Sequence, residues 1–210
     1  MSYLPKFENK GCCKEVDLRY LDVQKVQKML ITISGYHGSG KSTVANEIVK
    51  KFKLRYLAAG DIFRQMAKDQ QMTLEEFSKF VEQHPEIDRE IDDRIIQEAQ
   101  KGDAILDGLL VAWLTRHIPG LHILLTTDEQ IRVERIAQRE NRPYAEVKKE
   151  TLNREKSEIA RFKNLYHIDI NDYSIYDVVL NTGLWSREAV NQIVIMLIKE
   201  YVKAVANKNK

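Results

Sequence analysis

The sequence predicts an α/β fold: a parallel five-stranded sheet with helices on both faces, organised around a phosphate-binding loop. Three observations predict it. Short apolar runs begin at Met29, Leu54, Ala104, Leu121 and Tyr176, and helical stretches separate them, as expected of parallel strands buried on both faces. Gly35, Gly40, Lys41 and Ser42 fit the pattern G-x-x-x-x-G-K-[ST] between the first run and a helical stretch. Finally, Asp61, Arg64 and Asp107 fall at the ends of later runs, where open α/β sheets bind ligands.

The loop carries the chemistry. Its glycines let the backbone turn tightly and come close to a ligand. Successive N–H groups of Gly35, Tyr36, His37, Gly38, Ser39, Gly40, Lys41, Ser42 and Thr43 form an anion nest, reinforced by the N-terminus of the following helix. In this pattern Lys41 reaches the β- and γ-phosphates of a nucleotide, and Ser42 places its hydroxyl on Mg²⁺. The glycine order is not the G-x-G-x-x-G of a dinucleotide site.

The remaining elements follow in order. A helix is expected from Lys41 to about Lys53, then a strand over Leu54–Ala59, with Asp61 as the N-cap of the next helix. Thr73-Leu74-Glu75-Glu76 is a capping box that opens a helix to about Gln83. Pro85 opens another, closed by Gly102. These helices, about 61–101, are long for a strand-to-strand crossover and read as an inserted substrate-gripping segment. Asp107 ends an apolar strand downstream of the phosphate loop, a position suited to holding Mg²⁺; the bland alternative is a cap for the next turn. Asp128 caps a helix to Arg139, Pro143 opens one to about Tyr166, and the last helix spans about 186–204.

Arginines crowd the segment from Arg132 to Lys163. On a helix Arg154, Glu158 and Arg161 share one face. They read either as a solvated salt-bridge ladder or as groups that close over a transferring phosphoryl; beside a phosphate loop the second is preferred. For Arg132, Arg135 and Arg139 the two readings balance. Trp113 and Trp185 read as packing residues, and the histidines show no metal spacing.

Totals bound the class. The chain has 210 residues, 43% hydrophobic and 30% charged, with a net charge of +2. That suits one domain and argues against a nucleic-acid binder. Cys12 and Cys13 are adjacent and cannot staple distant segments, which points to a reducing, cytoplasmic setting. The apolar run 193–198 is too short to cross a bilayer, and no signal-peptide core is visible. Residues 1–28 read as an N-terminal extension, with a short amphipathic helix over Asp17–Lys28, and 29–210 as one domain.

With these residues in view, the chain resembles the cytidylate kinases, most closely the short archaeal type. The resemblance rests on Ile31–Thr43, Ala59–Arg64, Ser78–Asp88, Arg135–Glu140, Arg154–Phe162 and Tyr166–Asp177. It implies a P-loop NTPase core, a segment near 61–101 that binds a nucleoside monophosphate, and an arginine-rich lid near 139–163. It also implies transfer of the ATP γ-phosphoryl to CMP or dCMP, with Mg²⁺, by a monomer. Arg64 then holds the acceptor phosphate near Asp61. The family pattern R-D-x-x-D-x-x-R falls on Arg154, Glu155, Glu158 and Arg161, its arginines touching phosphate and Glu158 near the cytosine. Leu109 stands where many members carry an acceptor-binding arginine, and Tyr36-His37 replaces small or proline residues. A kinase of another acceptor, and a non-enzymatic NTP- or RNA-binding protein, remain the alternatives.

Overall fold

The computed structural model describes residues 29–208. The extension at 1–28, with its expected helix and cysteine pair, lies outside the described residues. Five strands form one sheet in the order β2-β3-β1-β4-β5, every pair parallel. The strands are β1 (Leu30–Ser34), β2 (Arg55–Ala58), β3 (Ala104–Asp107), β4 (Leu121–Thr126) and β5 (Val178–Asn181). The predicted fold class is therefore observed. Strand β1 lies at the centre, so the loop that follows it opens at the middle of the sheet edge.

Alternating side chains of the strands feed two cores, as the two-residue period of a strand requires. Ile31, Ile33 and Ile105 pack under α1 (Lys41–Phe52) and the final helix (Arg187–Lys208), against Val44, Ile48, Val194 and Ile198. Leu30, Ala104 and Leu106 point to the other face, against Ile95 and Ala99 of the helix Pro85–Lys101 and Val111. Covering both faces explains why all five positions of β1 are buried, the polar Thr32 and Ser34 included.

Three helices bridge β2 and β3: α2 (Ala59–Asp69), α3 (Leu74–Glu82) and α4 (Pro85–Lys101). They enclose a satellite core in which Phe63 and Phe77 meet edge to face with ring centroids 4.8 Å apart. The capping box is present: Glu76 N–H donates to Thr73 Oγ1, and Thr73 N–H donates to Glu76 Oε2 at 2.8 Å. Asp61 is not a cap. Helix α2 starts earlier, at Ala59 with Ala58 as its N-cap, so Asp61 lies in the first turn, where a carboxylate still suits the helix dipole. Sequence reading also missed α5 (Val111–Thr115), a five-residue helix with no side-chain cap. After β4 come α6 (Glu129–Glu140) and α7 (Tyr144–Tyr166), packed as a hairpin through Val133, Ile136 and Val147; α8 is Arg187–Lys208.

Candidate active site

The loop from Gly35 to Gly40 runs from the end of β1 into α1, and two glycines in it are required by their surroundings. Gly35 has φ +147° and a Cβ there would lie 2.3 Å from Leu125 O; Gly38 has φ +79° and a Cβ would lie 2.4 Å from Arg132 O. Side chains are excluded at both by backbone, which cannot yield cheaply. Lys41 folds back so that its Nζ donates to Tyr36 O at 3.1 Å and lies 4.0 Å from Asp107 Oδ1. Burial pushes the Lys41 pKa down, against the pull of Asp107.

Asp107, at the end of β3, faces the first turn of α1. Its Oδ2 accepts from Ser42 Oγ at 2.9 Å and from Tyr56 OH at 3.0 Å. The structure thus brings together the hydroxyl and carboxylate expected to serve Mg²⁺. The donor set fits: Mg²⁺ takes few protein ligands and completes its shell with phosphate and water. Among the described residues no cluster of three metal-ligating side chains exists elsewhere.

Around the loop opens a cleft of about 1170 Å³. On the β2–β3 side it is lined by Arg64, Asp88, Ile91 and Leu109, and on the β4–β5 side by Arg139, Thr182 and Trp185. Arg64 lines the cleft, and its Nη2 donates to Asp61 Oδ1, an exposed carboxylate that is not part of the cleft lining. Leu109 contributes an apolar side chain to that wall.

The hairpin arginines divide. Arg132 is buried: it donates to both oxygens of Glu155, donates to His37 O at 2.9 Å, and lies 5.0 Å from the centre of the Tyr36 ring. Arg135 donates to Thr182 Oγ1 and Thr182 O, both at 2.9 Å, while Thr182 Oγ1 donates to Ser39 O at 2.9 Å. Both arginines brace the loop through its carbonyls, and Arg135 also lines the cleft. Arg139 remains exposed at the cleft.

Arg154 and Arg161 both line the cleft. Arg154 Nε donates to Glu158 Oε1 at 3.0 Å, and its guanidinium lies 5.1 Å from the Phe63 ring centre. Arg161 does not complete a ladder with Glu158; its Nε donates to Asp88 Oδ2 of α4 at 2.8 Å in a buried pair. Glu158 turns its other oxygen to the loop, where it pairs with His37 Nε2 at 3.0 Å. Burial alone raises the Glu158 pKa, but His37, Arg154 and Arg161 hold it well below the usual carboxylate range. Helix α7 is therefore anchored at its inner half, to the loop by Glu155 and Glu158 and to α4 by Arg161. Arg154 and Arg161, expected to close over a transferring phosphoryl, are held at the cleft by these pairs. Sequence reasoning placed His37 in the loop through its backbone but not its side-chain contact with Glu158, and it missed Asp88 and Trp185 as cleft residues; partners such as Asp88 and Arg161, 73 positions apart, share no local pattern.

A phosphate loop at the centre of a parallel sheet, a hydroxyl–carboxylate pair beside it, and a cleft with a wing on each side define a P-loop kinase. A family model described as an AAA domain matches residues 34–153. The chain is similar in fold to a gluconokinase from Sinorhizobium meliloti (TM-score 0.58, 12% identity, covering 87% of this chain and 98% of that one). It is similarly related to a shikimate kinase from Acinetobacter baumannii (TM-score 0.53, 14% identity, covering 83% and 95%). In sequence it is 45% identical to a cytidylate kinase from Pyrococcus horikoshii over 80% of this chain and 86% of the relative. It is 40% identical to one from Methanococcus aeolicus over 87% of this chain and the whole of the relative. The chain belongs to the cytidylate kinase family.

Proposed function

We propose that the protein transfers the γ-phosphoryl group of ATP to CMP or dCMP, giving the diphosphate. The cleft carries this reading. Its volume of about 1170 Å³ exceeds the roughly 300–1,000 Å³ of an ordinary single-ligand pocket, and the phosphate loop sits between its wings. Two nucleotides meeting head to head at that loop suit this shape better than one nucleotide and water.

In this scheme the loop from Gly35 to Thr43 cradles the ATP phosphates, and Lys41 neutralises the β- and γ-oxygens. Ser42 and Asp107 would hold Mg²⁺, which would neutralise phosphate charge at the loop. Asp61, Arg64 and Glu158 take the acceptor under the helices of 61–101. An acceptor phosphate oxygen attacks the γ-phosphorus in line, and the bond to the β–γ bridging oxygen breaks. The attacking oxygen is already ionised, so no strong general base is needed; positioning and charge stabilisation by Lys41, Arg154 and Arg161 lower the barrier. The hairpin of about 139–163 excludes water. A monomer in the cytoplasm suits this reading; among the described residues no helix is long and apolar enough to cross a membrane.

The test is diphosphate formation with ATP and Mg²⁺ against CMP, dCMP, UMP, AMP, GMP and TMP. Preference for CMP and dCMP is the expected result. Transfer to another base moves the substrate, and absence of transfer to any of them overturns the reading.

A further inference from the structure

We infer that His37 is a positioning residue for phosphoryl transfer, setting Arg154 through the carboxylate of Glu158. The inference rests on the kinase reading above and adds a residue whose side chain the phosphate-loop pattern leaves unassigned.

The geometry is a chain of three groups. His37 Nε2 lies 3.0 Å from Glu158 Oε2, and Arg154 Nε lies 3.0 Å from Glu158 Oε1. One carboxylate is thus split between the phosphate loop and an arginine facing the cleft. Syn and anti lone pairs of a carboxylate are directional, so fixing one oxygen fixes the plane in which the other accepts. Burial pushes the His37 pKa down against the pull of Glu158. A carboxylate oxygen only accepts, so the proton facing Glu158 sits on His37 Nε2.

The histidine itself is held. Its backbone N–H donates to Glu155 Oε1 at 3.2 Å, and its carbonyl accepts from Arg132 Nη1 at 2.9 Å. Arg132 and Glu155 are in turn a buried bidentate pair. Loop position and arginine orientation are therefore mechanically joined: the residue that shapes the phosphate cradle also sets the guanidinium beside it. Without the histidine, Glu158 keeps Arg154 in contact but is free to rotate. A guanidinium that matches developing phosphoryl charge only in one orientation then loses its advantage in the transition state more than in the ground state.

The experiment compares His37→Asn and His37→Gln with the wild type in CMP phosphorylation. Both introduce an amide, but only glutamine carries its N–H to the position of Nε2. The expected result is a fall in kcat of roughly tenfold or more for H37N, with KM for ATP and CMP within about twofold and most of the rate restored in H37Q. In a double-mutant cycle, adding H37N to Arg154→Ala is expected to slow the enzyme no further, because the arginine it orients is gone. Additive losses, equal effects of H37N and H37Q, or a loss confined to KM each overturn the inference. A wild type that transfers nothing to CMP overturns the kinase reading and this inference with it. An active wild type matched by H37N overturns this inference alone.

Discussion

Ser42 and Asp107 meet across the cleft floor, hydroxyl to carboxylate at 2.9 Å, and so tie the first turn of α1 to the end of β3. Tyr56 OH supports the same oxygen at 3.0 Å, which leaves Asp107 little freedom to turn away.

Replacing Asp107 by Asn keeps an acceptor for both hydroxyls but removes the charge. The Mg²⁺ concentration for half-maximal turnover is expected to rise roughly 10–100-fold, as for other supporting groups at metal sites. A Mg²⁺ titration of CMP phosphorylation checks this. A curve that overlays the wild type removes Asp107 from the metal site.

Arg64 and Asp61 form an exposed pair, and such pairs contribute about 0–1 kcal/mol to stability. Arg64→Ala is therefore expected to leave the thermal midpoint close to that of the wild type. Its effect belongs to the acceptor: KM for CMP should rise by roughly tenfold or more, as expected when a charge-assisted contact to phosphate is lost, while KM for ATP stays within about twofold. A variant that loses ATP binding but keeps CMP binding places Arg64 on the wrong side of the loop.

Much of this is legible in the sequence. The strands are apolar runs long enough to bury on both faces, and the loop, capping box and helix-opening prolines are local patterns with local causes. The helix start at Ala59 rather than Asp61 was not legible, because alanine and glycine carry no cap signal while aspartate does. At the site, Arg154 and Glu158 follow helical spacing and pair as spacing suggests. Arg161 obeys the same spacing toward Glu158 yet pairs with Asp88. The choice depends on Asp88 of α4 coming within side-chain reach of α7, a tertiary fact that no local window contains. The side-chain role of His37, a residue already read as part of the loop, was invisible for the same reason: its partner lies 121 positions away.

Trp185 is the one large aromatic exposed inside the cleft among the described residues, 51% exposed, on the wall shared with Thr182 and Arg139. An aromatic face beside the phosphate loop favours stacking with a base. Addition of ATP is expected to quench tryptophan fluorescence, and Trp185→Phe should abolish the change while leaving Trp113 emission in place. A quench that persists in W185F assigns the signal elsewhere and leaves Trp185 without a role in the donor site.

Asp92 gives the pH prediction. It is buried on α4, and its Oδ2 accepts from Tyr166 OH at 2.5 Å. Burial, aided by Asp88 and Asp93, lifts its pKa from 3.8 to about 7 against the hydrogen bond from Tyr166 and the charge of Arg161. Between those values the folded protein keeps a proton that the unfolded chain has released. Each rise in pH across the window therefore costs stability: the contribution is fully present below pH 3.8 and is lost as pH passes about 7. The total is of the order of a few kcal/mol. Asp92→Asn retains an acceptor for Tyr166 but cannot ionise, so its stability relative to the wild type should grow from pH 4 upward and level off above pH 7. Urea midpoints of both proteins at about pH 5 and about pH 8 test the sign directly. Parallel losses in the two proteins show that Asp92 titrates like a solvated carboxylate, and a variant less favoured at the higher pH reverses the assignment of the proton to the folded state.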